Sequence, residues 1–332
     1  MNVKKKRILV ISPNFRGGGL ETRINTIVER FHKDFRYSLI TKTPINKMRI
    51  SPSKYLDKVY YWGNYEDAIK GADIISIHPF SFFTELKNLD LLKNKKLIYT
   101  LHGETSFLDN IDQFADMIDV FYAVSNKLID IFKILYPQYA DKIYLFKNYY
   151  STLNTNLYTK PEVNKKILFC ITNTDKQEYI NSIIKQIPYD YHIHIIGSEQ
   201  FQKFEHPNII YDGFVNIDSY LSANKFSIAF ARGGYIAMDI IANNMPIILI
   251  YERGRNFYAE VLDKINFEKL SNQNFVTFNK SKYENIPNII EQIEQNYNDY
   301  FLSNLLKQYN DSLLMPNPYM YFNRGTYAKS KN

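Results

Sequence analysis

The stretch of sequence that decides the fold reads FARGGYIAMDIIANNMPIILI and spans residues 230–250. It predicts a buried strand that ends in a glycine pair, a helix that begins at Tyr235 and stops before Pro246, and a second apolar strand. Two glycines at a helix N-terminus let a ligand approach backbone N–H groups, where the helix dipole favours an anion. Asp239 lies one turn further in, where its carboxylate can accept hydrogen bonds from a diol. The segment therefore predicts a phosphate-binding site next to a carboxylate that accepts hydrogen bonds from a diol.

The same alternation of short apolar runs and helical patterns extends along the whole chain. Predicted strands cover residues 7–12, 37–41, 58–62, 74–78, 97–102, 120–124, 143–146, 166–171, 192–197, 209–211, 226–231 and 247–251. Predicted helices cover residues 20–32, 66–70, 83–93, 111–117, 127–135, 176–186, 217–222, 235–243, 259–263 and 286–308. Continuous Val, Ile and Leu strands separated by helices are typical of parallel sheets covered on both faces, so we predict an α/β fold with two doubly wound halves.

A break in this alternation divides the chain. Residues 148–163 are rich in Asn, Thr and Tyr and have no apolar period, which is typical of a linker. We therefore predict a Rossmann-like domain over 1–150, a linker over 151–163, a second Rossmann-like domain over 164–312, and a tail over 313–332 that packs across the domain junction. Open α/β sheets bind ligands at the carboxyl ends of their strands, so a cleft between the domains is the predicted site.

Composition and charge narrow the class of protein. The 332 residues are 45% hydrophobic, and no apolar run approaches the roughly 18 residues of a membrane span. The apolar run behind the basic residues 4–7 is too short for a signal peptide, and the single cysteine, Cys170, lies in an apolar strand and fits a reducing compartment. We therefore expect a soluble, cytoplasmic protein. The net charge of +7 suits phosphorylated ligands or an anionic membrane surface. No basic stripe is interleaved with aromatic residues, so a nucleic-acid partner is not favoured.

A glycine-rich loop follows the first predicted strand. Arg16 precedes three glycines, Gly17 to Gly19, and a helix with Glu21 in its first turn follows. A dinucleotide fingerprint needs a third glycine at Thr22 and an acid at the end of the next strand, and both are missing, which argues against a nicotinamide or flavin enzyme. The loop is a candidate contact for a phosphate or a sugar, and a plain tight turn is the alternative.

Two histidines stand at the ends of neighbouring predicted strands in the first half. His102 ends one strand, two residues ahead of Glu104, and His78 ends the other. A histidine at a sheet edge can donate to a sugar hydroxyl or act as a base. A structural histidine is the alternative in both cases. His192 and His194, which alternate with isoleucines in one strand, are interpreted as structural.

Further candidate contacts follow strands in the second half. Lys176 stands at a predicted helix start, where a cation opposes the helix dipole unless an anion is bound; an ordinary surface lysine is the equal alternative. The backbone groups of the turn 213–215 can form hydrogen bonds with the edge of a nucleotide base. An ordinary turn is the alternative. The junction 232–235 with Asp239 is the strongest constellation, because packing alone does not readily explain its two glycines. No D-x-D, H-E-x-x-H or C-x-x-C pattern occurs, so no metal is expected.

Taken in their order along the chain, the motifs of this sequence resemble those of a GT-B glycosyltransferase, most closely glycosyltransferase family 4. The resemblance covers nearly the whole length of the chain. The motifs that carry the resemblance are Gly18-Gly19-Leu20-Glu21, Thr100-Leu101-His102-Gly103, Tyr122-Ala123-Val124-Ser125, Gly197 after a strand, Gly213-Phe214-Val215 and the segment 239–246. The resemblance implies two Rossmann-like domains facing a cleft and transfer of a sugar from a nucleotide donor, with no metal and no cofactor beyond that co-substrate. We expect a UDP-sugar donor and a glycan, polyprenyl-linked or protein acceptor. The expected setting is bacterial surface polysaccharide synthesis at the inner membrane leaflet.

The resemblance also implies roles for individual residues. Gly18 and Gly19 would line the donor phosphate and the acceptor, and His102 would contact the transferred sugar. Lys176 would pair with the diphosphate, and Asp239 would replace the ribose-binding glutamate. Further donor contacts are predicted at Gly197, Gly213, Phe214 and Val215. From the residues themselves, we expect the N–H groups of Gly233 and Gly234, with Arg16 and Arg232, to stabilise charge on the departing diphosphate. Tyr235 is a further candidate donor contact. The candidates for an acceptor base are Glu21, Glu104 and His78.

The chain departs from the family pattern at two positions. Ile171 stands where the family usually has an arginine, and Ala231 stands where the first glutamate of E-x7-E is expected. These departures favour one alternative, a catalytically degenerate GT-B subunit or binding protein. A nucleotide-sugar epimerase shares the architecture but is weakened by the missing acid at Ala231, and a DNA-base glucosyltransferase is permitted by the positive charge. The two departures also leave retaining and inverting chemistry both open.

Overall fold

The chain divides into two compact units. A computed structural model describes residues 5–15, 18–78, 81–86, 88–103, 106, 111–150, 164–171, 177–197, 204, 206–253, 256–276, 285–312 and 319. Unit 1 comprises Met1–Tyr149 and Leu313–Asn332, and unit 2 comprises Tyr150–Ser312. The predicted linker over 151–163 lies outside the described residues.

Unit 1 is built on a parallel sheet of seven strands. In chain order these are β1 (Arg7–Ile11), β2 (Arg36–Thr41), β3 (Leu56–Tyr61), β4 (Ile74–Ile77), β5 (Lys96–Leu101), β6 (Val120–Ala123) and β7 (Ile143–Leu145). Their order across the sheet is β3-β2-β1-β4-β5-β6-β7, and every neighbouring pair is parallel. All seven strands were predicted, because each central strand is buried on both faces and so is nearly continuously apolar.

Helices cover both faces of this sheet. The longer ones are α1 (Gly19–Phe31), α2 (Tyr65–Gly71), α3 (Ser81–Glu85) and α4 (Asn126–Leu135). In α1 the buried apolar residues Ile24, Ile27, Val28 and Phe31 recur at helical spacing and pack on one face of the sheet. Helices α2, α3 and α4 pack on the other face, so the unit has a core on each side.

Unit 2 is built on a six-stranded sheet with one antiparallel edge. Its strands are β8 (Lys166–Cys170), β9 (His192–Ile196), β10 (Ile209–Gly213), β11 (Ile228–Ala231), β12 (Ile247–Arg253) and β13 (Asn256–Val261). The order is β10-β9-β8-β11-β12-β13, and only the pair β12–β13 is antiparallel. The helices are α5 (Gln177–Ile184), α6 (Ile217–Ala223), α7 (Tyr235–Ala242), α8 (Phe267–Asn272), α9 (Ile286–Gln295) and α10 (Ser303–Ser312).

Two predicted helices of the first half are wrong. The helix expected over 83–93 is interrupted: α3 ends at Glu85 and a separate 3-10 helix covers Leu89–Leu92. Asn88 lies between them in an extended conformation, and its side chain accepts from the backbone N–H of Asp90, which starts a new turn. The helix expected over 111–117 is two 3-10 turns, Ile111–Gln113 and Ala115–Met117.

The second half contains three further differences. The helix expected over 259–263 is wrong, because residues 259–261 belong to β13, where Val261 pairs with Ile248 and Ala259 with Ile250. The helix expected over 286–308 breaks after Gln295, a 3-10 helix covers Tyr297–Tyr300, and α10 then begins. Helix α8 was not predicted.

One residue of the C-terminal tail is described, and it lies in the core of unit 1. Tyr319 is buried and packs edge-on against Phe35 and Tyr37, with ring centroids 5.2 and 5.9 Å away. Among the described residues, no helix combines the length and the apolar character needed to cross a membrane.

Candidate functional site

The strand order of each sheet reverses once, and the reversal marks where a ligand fits. In unit 1 the strands on the two sides of β1 are β2 and β4, and in unit 2 the strands on the two sides of β8 are β9 and β11. The connections from such strands leave toward opposite faces, so a crevice opens at their carboxyl ends, where open α/β sheets bind ligands. The described candidate residues lie along this carboxyl edge of one sheet or the other.

In unit 2 the strand register brings several candidates together. Cys170, the last residue of β8, pairs with Ile196 and with Ala231. The residues that follow on the neighbouring strands are therefore adjacent at the edge. The backbone N–H of Gly197 donates to the carbonyl of Gly213 over 2.8 Å, which joins two of the predicted donor contacts directly.

The glycine pair before α7 has a packing role that the sequence did not reveal. A Cβ on Gly233 would lie 2.1 Å from the carbonyl oxygen of Phe275, and the N–H of Gly234 donates to the carbonyl of Asn274 over 2.8 Å. Gly234 has a φ of 81°, and Asn274 and Phe275 also have positive φ, of 58° and 57°. We call residues 274–275 the strap. Close approach of the strap therefore explains Gly233, and backbone conformation explains Gly234.

The N-terminus of α7 follows the carboxyl end of β11. The first i→i−4 bond of this helix runs from the N–H of Met238 to the carbonyl of Gly234. The N–H groups of Tyr235, Ile236 and Ala237 precede it and have no acceptor inside the helix. They point along the helix axis toward the carboxyl edge of the sheet, where the dipole favours an anion.

Asp239 lies at the reversal of the unit 2 sheet. Its side chain belongs to the inner part of α7 and is only 9% exposed. Burial raises the pKa of the Cys170 thiol, and the nearby Asp239 carboxylate raises it further, which places the carboxylate close to the carboxyl end of β8. A largely buried carboxylate beside the crevice can accept hydrogen bonds from two neighbouring hydroxyl groups.

Arg232 holds a positive charge at the same edge. Its guanidinium lies over the ring of Tyr251, 5.3 Å from the ring centroid, and the residue is half-buried. A cation over the face of an aromatic ring is attracted by the ring, which helps to hold the side chain in place. Arg232 therefore places a positive charge next to the N-terminus of α7.

The turn after β10 is anchored by a polar cluster. Nδ1 of His194 lies 2.9 Å from Oδ2 of Asp212, and the hydroxyl of Tyr220 donates to the same oxygen over 2.7 Å. His194, interpreted as structural from the sequence, does hold the residue just before Gly213. The turn continues into Phe214, whose side chain is exposed. This cluster fixes the backbone that was predicted to border a base.

In unit 1 the candidates after β1 gather at the start of α1. The helix begins at Gly19, with Gly18 before it in an extended conformation. Glu21 is buried in the first turn, and a Cβ on Gly18 would lie 3.2 Å from its Oε2. A carboxylate at a helix N-terminus is stabilised by the dipole. Glu21 is therefore held inward rather than turned toward bulk solvent.

The two histidines of unit 1 form a pair. His78 follows β4 and His102 follows β5, and Nδ1 of His78 lies 2.8 Å from Nε2 of His102. Burial, and then the Arg23 guanidinium, lower the pKa of His78 to about 3. Burial also lowers the pKa of His102 well below 6.5, with smaller contributions from His78 and Arg23. Both rings are therefore neutral near pH 7.

We expect this pair to make the protein sensitive to mild acid. In the unfolded chain each histidine takes up a proton below about pH 6.5, whereas the buried rings do not, so the free energy of unfolding falls as the pH drops below 6.5. The loss is about 1.4 kcal/mol per pH unit for each histidine.

Urea unfolding at pH 7.5 and at pH 5.5 measures this loss of stability. His78→Phe should reduce the loss by about one histidine's share, and the exposed His192→Gln serves as the matched control. An equal loss in His78→Phe and the parent would contradict the assignment.

Some predicted site residues cannot be placed. Arg16, Glu104 and Lys176 lie outside the described residues, so their predicted roles stay predictions. Within the described part of the chain, no group of three or more His, Cys, Asp or Glu side chains is arranged to hold a metal ion.

Sequence reasoning missed two features next to the candidates. One is the strap, for which the sequence carries no signal, because the contact joins residues about forty positions apart. The other is Arg23, which is 1% exposed and donates to Oδ1 of Asn148 over 2.5 Å and to the carbonyl of Phe146 over 2.7 Å. A signal for Arg23 does exist: it lies four positions before Ile27, on the apolar stripe of α1.

Comparison with known proteins gives matches at the level of structure. No protein-family model matches the chain, and no curated protein matches it in sequence. HepE of Anabaena, solved with UDP and glucose, superposes with a TM-score of 0.62 at 12% identity, covering 92% of this chain and 95% of that one. The lipopolysaccharide outer core galactosyltransferase WaaB gives a TM-score of 0.50 at 13% identity, covering 90% and 99%. A Listeria monocytogenes protein named as a UDP-N-acetylglucosamine 2-epimerase gives 0.51 at 12%, covering 91% of each chain.

These likenesses establish the architecture. The predicted GT-B fold of two Rossmann-like units is confirmed. At 9–13% sequence identity, these structural similarities show the fold alone. Membership of glycosyltransferase family 4 stays a prediction.

Proposed function

We propose that the protein is a glycosyltransferase that takes a sugar from a nucleotide donor, first a UDP-sugar, and passes it to a glycan or lipid-linked acceptor. The observation that carries the proposal is the largely buried Asp239 carboxylate at the reversal of the unit 2 sheet, one turn after the N-terminus of α7. A ribose diol and a diphosphate fit those two features. The solved complexes of HepE with UDP, with UDP and glucose, and with UDP-glucose support this choice of donor.

Catalysis in this proposal rests on stabilising the leaving group. As the bond from the sugar to the diphosphate breaks, negative charge grows on the phosphate oxygens. We propose that the N-terminus of α7 and the guanidinium of Arg232 stabilise that charge with little reorganisation. Lys176 and Arg16 are proposed to add positive charge. No metal is required by this scheme, and turnover is expected to persist in EDTA.

Unit 1 supplies the groups proposed to act on the sugar and the acceptor. Neutral His102 can bond a sugar hydroxyl through a ring nitrogen. Glu21 and Glu104 are proposed as candidates for the acceptor base, the first of them held buried at the start of α1.

Nucleotide binding tests the donor assignment. Thermal unfolding would be followed with UDP, GDP, ADP, CMP and dTDP, each at saturating concentration. A ligand present at ~100 times its Kd stabilises by about 2.7 kcal/mol, and we expect this with UDP. Asp239→Asn should lose most of the shift, whereas Asp130→Asn, at an exposed position of α4, should keep it. No shift with any of the five nucleotides would contradict an active transferase and favour a degenerate GT-B subunit, as Ile171 and Ala231 would suggest.

A nucleotide-sugar epimerase is the second candidate, favoured by the superposition on the Listeria monocytogenes protein. The two activities differ in what happens to the nucleotide. A transferase releases UDP from UDP-N-acetylglucosamine or UDP-glucose, and water takes the sugar slowly when no other acceptor is present. An epimerase changes the sugar while it stays attached to the nucleotide. Incubation of each donor alone, followed by separation of the sugar nucleotides, distinguishes them.

We also propose a surface for an anionic membrane. Ile45, which is 63% exposed, and Tyr55, which is also exposed, each line one of two shallow hollows of about 330 and 400 Å³. Tyr61 is exposed in the same segment. Three exposed lysines, Lys47, Lys54 and Lys58, share the segment 45–61, so apolar side chains lie among positive charges. Apolar insertion and attraction to anionic lipid act together on such a surface.

Vesicle binding tests this surface. The protein should co-sediment with phosphatidylglycerol vesicles and not with phosphatidylcholine vesicles. Each lysine near a charged membrane contributes about 1 kcal/mol, so changing Lys47, Lys54 and Lys58 to glutamate should weaken binding more than about 100-fold. The matched control changes three exposed lysines of unit 2, Lys225, Lys269 and Lys307, to glutamate. Equal weakening by both triple variants would contradict a localised surface.

A further inference from the structure

The histidine pair joins a buried ring to a ring that a ligand can reach. His78 is buried and His102 is half-buried, and their ring centroids lie 5.0 Å apart with the planes inclined by 41°. The backbone N–H of His102 donates to the hydroxyl of Ser106 over 3.3 Å, which holds the segment after β5 in place. The backbone and one ring nitrogen of His102 are therefore both fixed.

The contact between the rings requires complementary protonation. A neutral imidazole has one N–H donor and one acceptor nitrogen, whereas an imidazolium has two donors and no acceptor. With both rings neutral, one nitrogen of the 2.8 Å contact donates and the other accepts. The position of the proton on His78 therefore dictates its position on His102.

We propose that His78 is a positioning residue that fixes the ring orientation and the tautomer of His102, so that Nδ1 of His102 is the atom presented to the sugar. Nε2 of His102 is engaged by His78, which leaves Nδ1 as the ring nitrogen for a ligand. Turning the imidazole over would break the hydrogen bond inside a largely buried site. This inference rests on the proposed function, because it names the atom through which His102 acts.

The charged and polar groups around the pair are consistent with a fixed neutral state. Arg23, from α1, is the cation that acts on both rings and disfavours their protonation. Tyr319, from the tail, is also within the electrostatic reach of Arg23, and its hydroxyl is hydrogen-bonded to Ser76 of β4. Glu21 is buried in the same turn of α1 as Arg23. These are the titratable and charged groups that a test of the pair must keep in place.

Imidazole nitrogen spectra test the proposal without substrate. With nitrogen-labelled histidine, the two-bond proton–nitrogen spectrum distinguishes the two neutral tautomers of each ring. We expect one tautomer each for His78 and His102 between pH 6 and 8. In His78→Phe, which fills the space without a polar atom, the His102 signals should move to averaged tautomer positions. His78→Asn, whose amide can stand in for Nδ1, should restore a single tautomer, and His192→Gln should change nothing. Averaged His102 signals in the parent protein, or unchanged signals in His78→Phe, would overturn the proposal.

Kinetics then connect the pair to catalysis. With UDP-glucose as the probe, His78→Phe should lower kcat for UDP release by about 100-fold, the lower end of the range that one positioned acid–base group contributes, and leave KM nearly unchanged. In a His102→Ala background, His78→Phe should have no further effect, because a positioning residue acts only through its partner. A further loss in that background would overturn the proposed route. If the tautomers behave as expected but no UDP is released by the parent protein, the proposed function fails and the pairing stands.

Discussion

Replacing Gly233 with alanine is expected to destabilise unit 2 by about 3 kcal/mol or more. The new Cβ would lie 2.1 Å from the carbonyl oxygen of Phe275 and 2.8 Å from that of Asn274. Both are backbone atoms, so a side-chain rotation cannot relieve the clash. The strap would have to move away, which would expose Phe275 and break the hydrogen bond from Gly234 to Asn274. Urea unfolding followed by circular dichroism measures the loss.

Two other glycines provide matched controls for Gly233→Ala. Gly71→Ala, at the end of α2, places its Cβ where nothing lies within 4 Å, so it should be neutral or stabilising by up to about 1 kcal/mol. Gly213 has equally open space but a φ of 66°, so Gly213→Ala should cost about 1–2 kcal/mol from backbone conformation alone. A ranking in which Gly233→Ala is no worse than Gly213→Ala would show that the strap does not hold the N-terminus of α7.

Replacing Arg23 with methionine is expected to cost unit 1 about 2–4 kcal/mol. Methionine keeps most of the volume, but Oδ1 of Asn148 and the carbonyl of Phe146 each lose a donor while they stay buried. The guanidinium also lies over the Phe146 ring, 4.5 Å from its centroid, and this contact is lost. Chemical unfolding of the variant measures the cost.

Arg30→Met is the matched control, because Arg30 is an exposed residue of the same helix whose guanidinium lies 4.2 Å from the centroid of the Tyr149 ring. We expect it to cost less than about 1 kcal/mol. Arg23→Met should also let the histidine pair protonate at a higher pH, because the Arg23 guanidinium contributes to the lowered pKa of both rings. If Arg23→Met is as stable as the parent and its histidines titrate at the same pH, both roles assigned to Arg23 are contradicted.

The sheets could be predicted from sequence, and the helices less well. Strands such as β4 and β11 are buried on both faces, so their apolar runs have only one reasonable interpretation in an alternating α/β pattern. The segment 83–93 has a helical apolar pattern, yet Asn88 caps a new turn inside it. The segment 259–263 was too short for its period to distinguish helix from strand, and pairing with β12 decided it.

The candidate site was predictable where it depends on strand ends. His102 follows a strand of the unit 1 sheet, and Gly197 and Gly213 stand at strand ends of the unit 2 sheet. The topology therefore predicts that each lies at the carboxyl edge of its own sheet. The reason for Gly233 was not predictable, because the strap reaches it from a distant part of the chain. The bond between His78 and His102 depends on strand order, since β4 and β5 are neighbours. The sequence predicted that each histidine lies at a strand end. It did not predict that the two side chains are hydrogen-bonded, because the order of the strands in the sheet was not known.

Amide hydrogen exchange with and without UDP tests the central claim most directly, because it reports where a nucleotide binds as well as whether it binds. The claim is that the nucleotide binds at the carboxyl edge of the unit 2 sheet. We predict slower exchange in the peptides that contain residues 213–215 and 233–239, no change in those from segment 45–61, and loss of the protection in Asp239→Asn. Protection confined to other peptides, or protection at 233–239 that survives in Asp239→Asn, would contradict the account.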